Sequence, residues 1–160
     1  MAKSTKNLYY YNKRNTMNHI LIGSDHGGFK LKQGIIDYLS TKKNITVNDV
    51  GTHNTDSVDY PDIANSLCTQ LQKNNTYLGI LCCGTGIGIS IRANRFKGIR
   101  AALVYDQFTA NMAKAHNNAN ILCFGGRTTL LEDAIDYIDI WLETAFEGDR
   151  HLRRLDKLDL

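Results

Sequence analysis

From Asn18 onward the chain alternates between short apolar runs and longer stretches with helical spacing, and few folds accommodate such a pattern. HILIGS (19–24) ends in Gly and Ser, and FKLKQGIIDYLS (29–40) then sets Leu31, Ile35, Ile36 and Leu39 on one helical face. ITVNDVG (45–51) stops at Gly51, and PDIANSLCTQLQ (61–72) repeats Ile63, Ala64, Leu67, Cys68 and Leu71 behind Pro61, which suits a first helical turn. YLGILCC (77–83) runs through glycines into a short helix at 87–95. GIRAALVYD (98–106) and ANILCFG (119–125) follow as strands, each with a helical run behind it, QFTANMAKAH (107–116) and TLLEDAIDYIDIWLETAF (129–146). Alternation with nearly continuous apolar strands predicts an α/β fold: a doubly wound, five-stranded parallel sheet with helices on both faces, a Rossmann-like three-layer sandwich. EGDRHLRRLDKLDL (147–160) adds a C-terminal helical extension in which Leu152, Leu155 and Leu158 oppose Arg150, Arg153 and Arg154, a piece suited to packing on a partner subunit.

The 160 residues, 42% of them hydrophobic, suit one core, so residues 18–160 are expected to form a single domain with the tail at 147–160. Residues 1–17 carry Lys3, Lys6, Lys13 and Arg14 without an acid and without a period; they read as a poorly ordered extension, and Met17 could be the true start. A formal charge of +3 with no Lys/Arg stripe argues against nucleic acid, while anionic small molecules remain suitable partners. No apolar run approaches the roughly 18 residues that span a bilayer, and no signal peptide opens the chain, so a cytoplasmic protein with no membrane partner is expected.

Ligands of such sheets lie outside the carboxyl ends of the strands. The expected strand ends, Asp25-His26, Gly51-Thr52, Cys83-Gly84, Tyr105-Asp106 and Gly125-Gly126-Arg127, bring most of the reactive residue types to one edge. Gly84, Gly86 and Gly88 form G-x-G-x-G, which lacks the third glycine of the dinucleotide fingerprint and the Lys-Ser/Thr of a Walker loop. A glycine turn at a helix start still offers N–H groups to an anion, either a phosphate or a developing oxyanion. Beside it, Cys83 is expected to be usable as a thiolate near neutrality, as nucleophile or proton acceptor. Cys82 points to the opposite face of the strand and reads as a packing residue, as do Cys68 and Cys123. His26 shares its loop with Asp25 and two glycines, and His116 ends a helix in AHNNAN, where Asn117 can orient it. His19, His53 and His151 read as surface or cap residues, and the histidine spacing makes no case for a metal. Arg127, with Arg150 and Arg154 one helical turn apart, could clamp a phosphate, and Tyr60 could line the same edge or pack at a helix start.

The motifs SDHGGF, DYPD, CGTGIGISI, GIRAA, AHNNAN, FGGR and EGDRHLRR, in this order, resemble the type B ribose-5-phosphate isomerase family, which also includes isomerases of galactose 6-phosphate and allose 6-phosphate. The resemblance covers residues 18–157. It implies interconversion of ribose 5-phosphate and ribulose 5-phosphate, in the non-oxidative branch of the pentose phosphate pathway, through an enediolate and with no metal or cofactor. It further implies Cys83 as the base between C2 and C1, amides of Gly84, Thr85, Gly86 and Gly88 around the enediolate oxygens, and Thr85 as a helper in ring opening or hydroxyl proton transfer. His116 corresponds to the ring-opening histidine, with Asn117 beside it. Asp25 would bind substrate hydroxyls, Tyr60 would line the site, and His26, Arg127, Arg150 and Arg154 would hold the phosphate. Homodimers or tetramers with active sites shared between subunits are expected. The extension and Cys82 depart from the family pattern.

A base near its operating pH and preorganised donors for an enolate oxygen are what a proton-transfer isomerase needs, and a thiolate against a glycine-rich helix start supplies both. Two alternatives stay open: a six-carbon aldose phosphate as substrate, and a non-catalytic sugar-phosphate binding module, against which Cys83 together with His116 argues. Redox signalling through Cys82-Cys83 is disfavoured by the strain of a bridge between adjacent cysteines.

Overall fold

The structure is a computed structural model and describes residues 17–158. The expected extension thus lies, but for Met17, outside the described residues.

Five parallel strands, β1 (Asn18–Ser24), β2 (Ile45–Asp49), β3 (Leu78–Cys83), β4 (Ala101–Leu103) and β5 (Ile121–Gly125), form one sheet in the order β2-β1-β3-β5-β4. Between and after them run α1 (Phe29–Ser40), α2 (Tyr60–Lys73), α3 (Ile87–Ala93), α4 (Gln107–Ala115), α5 (Leu131–Glu143) and the terminal α6 (Arg150–Leu155). The α/β sandwich expected from the alternation is therefore the observed fold.

The two faces of the sheet are covered by different helices because successive strand residues point oppositely. Ile20, Ile22, Ile80, Cys82, Leu122 and Phe124 face α1, α4 and α5, joining Leu31, Ile35, Ala110, Ile138 and Trp141 in one core. Leu21, Leu81, Cys83, Ile121 and Cys123 face α2 and α3, joining Leu67, Cys68, Leu71 and Ile89 in the other. Each fully buried large aliphatic side chain contributes roughly 1.5–3 kcal/mol relative to exposure.

Three elements are shorter than their apolar runs. β4 keeps only three residues: before it Gly98 turns at φ 77° and Asn120 Oδ1 accepts the Arg100 amide, which takes that backbone out of the ladder. α3 ends where the Asn94 side chain bonds to both the Ala101 amide and carbonyl. α5 stops at Thr144, whose backbone is extended.

The direction in which strands are added reverses at the switch point between β1 and β3, where β2 lies to one side and β5 and β4 to the other. The loops leaving β1 and β3 open there, which is where sheets of this kind bind ligands.

Candidate active site

Three turns meet at the carboxyl edge through backbone contact alone. A Cβ on Gly27 would lie 3.1 Å from Gly84 N, and one on Gly126 would lie 2.4 Å from the Gly27 carbonyl oxygen, so the loops after β1, β3 and β5 approach more closely than side chains permit. The Gly126 amide donates to Cys83 O (2.8 Å) and the Arg127 amide to Gly84 O (3.0 Å), locking the third turn onto the second.

At the centre is Cys83, the last residue of β3, 4% exposed. Its Sγ accepts a hydrogen bond from the Gly86 amide at 3.1 Å. Gly86 is the N-cap of α3 with φ 77°, a left-handed conformation that turns its N–H back on the sulfur. This amide is therefore occupied by the cysteine. Cys82 faces the opposite core and is fully buried, as the alternation requires; burial pushes its thiol well up, as it does Cys123, and raises Cys68 to about 12.

Around Cys83 the structure gathers most of the residues expected at the edge. Asp25 is buried, with Oδ1 accepting the Gly28 amide at 3.0 Å. His26 Nδ1 accepts the Val58 amide at 3.3 Å, which leaves Nε2 to carry the proton of the neutral ring and to donate it. The Tyr60 ring stands over Gly88, where an added Cβ would be 2.7 Å from Cζ and 2.9 Å from the hydroxyl. The Arg127 guanidinium lies across Gly84, with Nη1 3.3 Å from where a Cβ would sit. Thr85 is exposed and its Oγ1 accepts the Ile87 amide at 3.4 Å.

His116, Asn117, Arg150 and Arg154 are not at this edge. His116 is the C-cap of α4, and the 116–120 segment after it joins the beginnings of the strands: the Asn120 amide donates to Arg100 O, and Asn120 O accepts the Gly79 amide. From Gly79 to Cys83 the strand climbs four residues, about 13 Å at roughly 3.3 Å each, so these groups sit at the far end of the sheet from the sulfur. Trp141 Nε1 fixes the segment by donating to Ala119 O (3.0 Å), and the Glu147 amide donates to Ala115 O (3.0 Å), which brings α6 alongside. Arg150 and Arg154 are exposed on α6.

At that second end His151 is a correction to the sequence reading: it is buried rather than a surface or cap residue, 5% exposed, and stacks on His116 with ring centroids 4.1 Å apart and planes at 13°. Glu147 Oε2 lies 3.4 Å from His151 Nε2 and 3.8 Å from His116 Nε2. Although the ligand-type atoms of these three side chains fall within 4.8 Å of one another, stacked rings cannot both aim an in-plane lone pair at one ion, so the arrangement reads as a stacked imidazole pair beside a carboxylate rather than a metal centre. Of the other two histidines left on the surface, His53 is 73% exposed at its side chain and His19 stacks on Tyr77.

Sequence reasoning also passed over Lys32. It is fully buried in α1, with Nζ 2.6 and 2.5 Å from the Asp49 carboxylate oxygens and 2.8 Å from Thr52 O, so all three of its protons are used. The pair pins the segment after β2 that supplies the Val58 amide to His26 and leads to Tyr60. The signal was available: Lys32 stands in phase with Ile35, Ile36 and Leu39, on a stripe that otherwise holds apolar residues.

Among the described residues no helix is long and apolar enough to cross a membrane. A sequence profile described as Ribose/Galactose Isomerase matches residues 20–158. A putative sugar phosphate isomerase of Rickettsia bellii is 51% identical over 140 residues, covering 88% of this chain and 96% of its own. The crystal structure of a ribose 5-phosphate isomerase from Thermotoga maritima superposes with a TM-score of 0.86 at 47% identity, over 89% of this chain and 97% of that one. A ribose-5-phosphate isomerase B of Mycoplasma genitalium, solved with bound ribulose-5-phosphate, gives a TM-score of 0.85 at 43% identity over 89% and 95% of the two chains. The sheet, the glycine turns around Cys83 and the sequence match across nearly all of the described residues agree, and the chain belongs to the ribose/galactose isomerase family.

Proposed function

We propose that this protein is an aldose–ketose isomerase that interconverts ribose 5-phosphate and ribulose 5-phosphate, with Cys83 as the base. The observation that carries the reading is the Cys83 sulfur, seated against a backbone N–H at an edge that also gathers Asp25, His26, Tyr60 and Arg127. A hydrogen-bond donor on sulfur is the contact a thiolate accepts, and the sulfur lies where the loops from β1, β3 and β5 meet, at the edge where such sheets bind ligands. In the forward direction Cys83 removes the C2 proton of the open aldose and the electron pair moves to O1. Return of the proton to C1, with a proton shifting from O2 to O1, completes the ketose. Amides of the 84–88 turn other than that of Gly86 face the enediolate oxygens, Thr85 shuttles a hydroxyl proton, and Asp25 holds substrate hydroxyls. Removing one such preorganised donor typically costs 10²–10³-fold in rate, on the order of the base itself.

His26 and Arg127 take the phosphate on the Cys83 side, with Tyr60 closing the pocket over Gly88. His116, Asn117, Arg150 and Arg154 act on the site of a second copy of the chain, since some 13 Å of strand separates them from their own Cys83. A homodimer of this kind gains support from Leu152 and Leu158, which are 52% and 62% exposed beside the α6 arginines and which a neighbouring subunit would cover.

Ketose formation from ribose 5-phosphate, measured in chelator for wild type and Cys83→Ala, with allose 6-phosphate as comparison, tests the reading. Turnover of the pentose that persists in chelator and disappears in folded Cys83→Ala is expected. Activity retained by the variant would refute the assigned base, and faster turnover of the hexose would move the substrate to six carbons.

A further inference from the structure

A buried imidazole, a carboxylate and a second imidazole are packed together at the strand-start end of the sheet, and the reading above uses only one of them. We propose that Glu147 and His151 are positioning residues for His116, together forming a seat that holds its ring flat and its proton in place for opening the sugar ring. The inference rests on His116 acting in ring opening.

His116 alone is poorly held, for it ends α4 and its side chain is 34% exposed. Two contacts constrain it. The face of its ring lies on the buried ring of His151, at 4.1 Å between centroids, which fixes the plane of the imidazole. Its Nε2 lies 3.8 Å from Glu147 Oε2, and the Glu147 backbone is itself tied to the end of α4 through its amide on Ala115 O (3.0 Å), which keeps the root of the carboxylate beside the histidine. Among the described residues His151 Nε2 has no hydrogen-bond partner, and it sits 3.4 Å from the same carboxylate oxygen. A carboxylate between two imidazoles favours a proton on one of them, and the choice is made by the surroundings. Burial holds His151 below its ordinary value of 6.5, the neighbouring His116, Arg150 and Arg154 push the same way, and only Glu147 opposes them. His151 is therefore held toward its neutral form, and its buried ring gives the half-exposed His116 ring a flat, uncharged surface to lie on.

The step so served balances simply. The C1–O4 bond of the furanose breaks, its electron pair goes to O4, and O4 takes the proton from the His116 imidazolium. The C1 hydroxyl proton leaves to solvent, from which His116 is recharged.

Ribulose 5-phosphate separates this step from the enediolate chemistry, because its O5 carries the phosphate and it cannot close a five-membered ring. Exchange of its C1 hydrogen with deuterium oxide needs the base and no ring opening. Wild type, Glu147→Gln, His151→Ala and His151→Phe are compared in two assays, conversion of ribose 5-phosphate and deuterium entry into ribulose 5-phosphate, with sedimentation confirming an unchanged assembly. Glu147→Gln and His151→Ala are expected to lose about tenfold or more in ribose conversion, a fraction of the 10²–10⁴ that a general acid supplies, with exchange kept within about threefold. His151→Phe, which keeps a flat ring under His116, restores most of the conversion. Equal losses in both assays, or no loss in either, would overturn the seat. Failure of the underlying isomerase reading looks different: wild type then shows no exchange, or Cys83→Ala retains it.

Discussion

Alanine at position 86 should cost more stability than alanine at position 98, and it should cost activity as well. Gly86 and Gly98 share a φ of 77°, so both substitutions force an L residue into left-handed backbone, at about 1–2 kcal/mol. They differ in what the new methyl meets. At Gly98 nothing lies within 4 Å, whereas at Gly86 the Cβ would fall 2.6 Å from Leu103 Cδ1 and 2.8 and 3.0 Å from the Phe124 carbonyl carbon and oxygen. Leu103 can rotate away, but the Phe124 backbone is held in β5 between β3 and β4, so overpacking adds about 1–3 kcal/mol. The total is about 2–5 kcal/mol for Gly86→Ala against about 1–2 for Gly98→Ala, both within the 5–15 kcal/mol typical of a folded domain. Urea unfolding at fixed protomer concentration, followed by the fluorescence of Trp141, the single and fully buried tryptophan, reads the difference directly. Because the Gly86 amide also donates to Cys83 Sγ, relief of the clash by moving the turn should lower kcat for ribose 5-phosphate in the protein that remains folded. Equal destabilisation by the two substitutions, with full activity in Gly86→Ala, would refute the argument.

Lys32→Met should destabilise by about 3–5 kcal/mol by leaving the Asp49 carboxylate without its buried cation, and Lys32→Met with Asp49→Leu should recover much of that; urea midpoints of the single and double variants decide it. In the single variant, loosening of the segment carrying Val58 should raise KM for the sugar phosphate more than it lowers kcat. The buried thiols make stability fall in alkali. Burial raises Cys68, Cys82 and Cys123 above 9.0, so the folded chain holds protons that the unfolded chain releases; the contribution is whole below about pH 9 and is lost as pH rises toward the folded values, about 12 for Cys68. Each such thiol adds a slope of about 1.4 kcal/mol per pH unit in that window. Unfolding free energies from pH 8 to 10.5 should therefore fall less steeply in Cys68→Ala, and an unchanged slope would count against the burial argument.

The layout of the sheet was legible because its cause is local. Apolar runs of β1, β3 and β5 and the helical stripe of α1 follow from residue spacing alone, and α1 begins and ends where that spacing does. The opposite facing of Cys82 and Cys83 follows from the pleat of a strand and needs no partner to be known. The close of the glycine turns around Cys83 was likewise readable as a turn, though not its use of the Gly86 amide on the sulfur, which depends on a left-handed φ enforced by β5 packing against it.

Burial of a polar side chain, by contrast, depends on residues far along the chain. Lys32 is buried because Asp49 and the Thr52 carbonyl, 17 and 20 residues away, take its protons, and His151 because α6 folds back beside the end of α4. Nor could spacing reveal that His116 and Cys83 lie at opposite ends of the sheet. In a parallel sheet each connecting helix returns the chain to the strand beginnings, so a residue at a helix end and one at a strand end are kept apart however near they stand in sequence. The sequence by itself determined which reactive residue types end the strands and helices and on what kind of scaffold they stand. Only the tertiary structure set Cys83 and His116 at opposite ends of the sheet, because the length of a strand is a distance no side chain of His116 can cross.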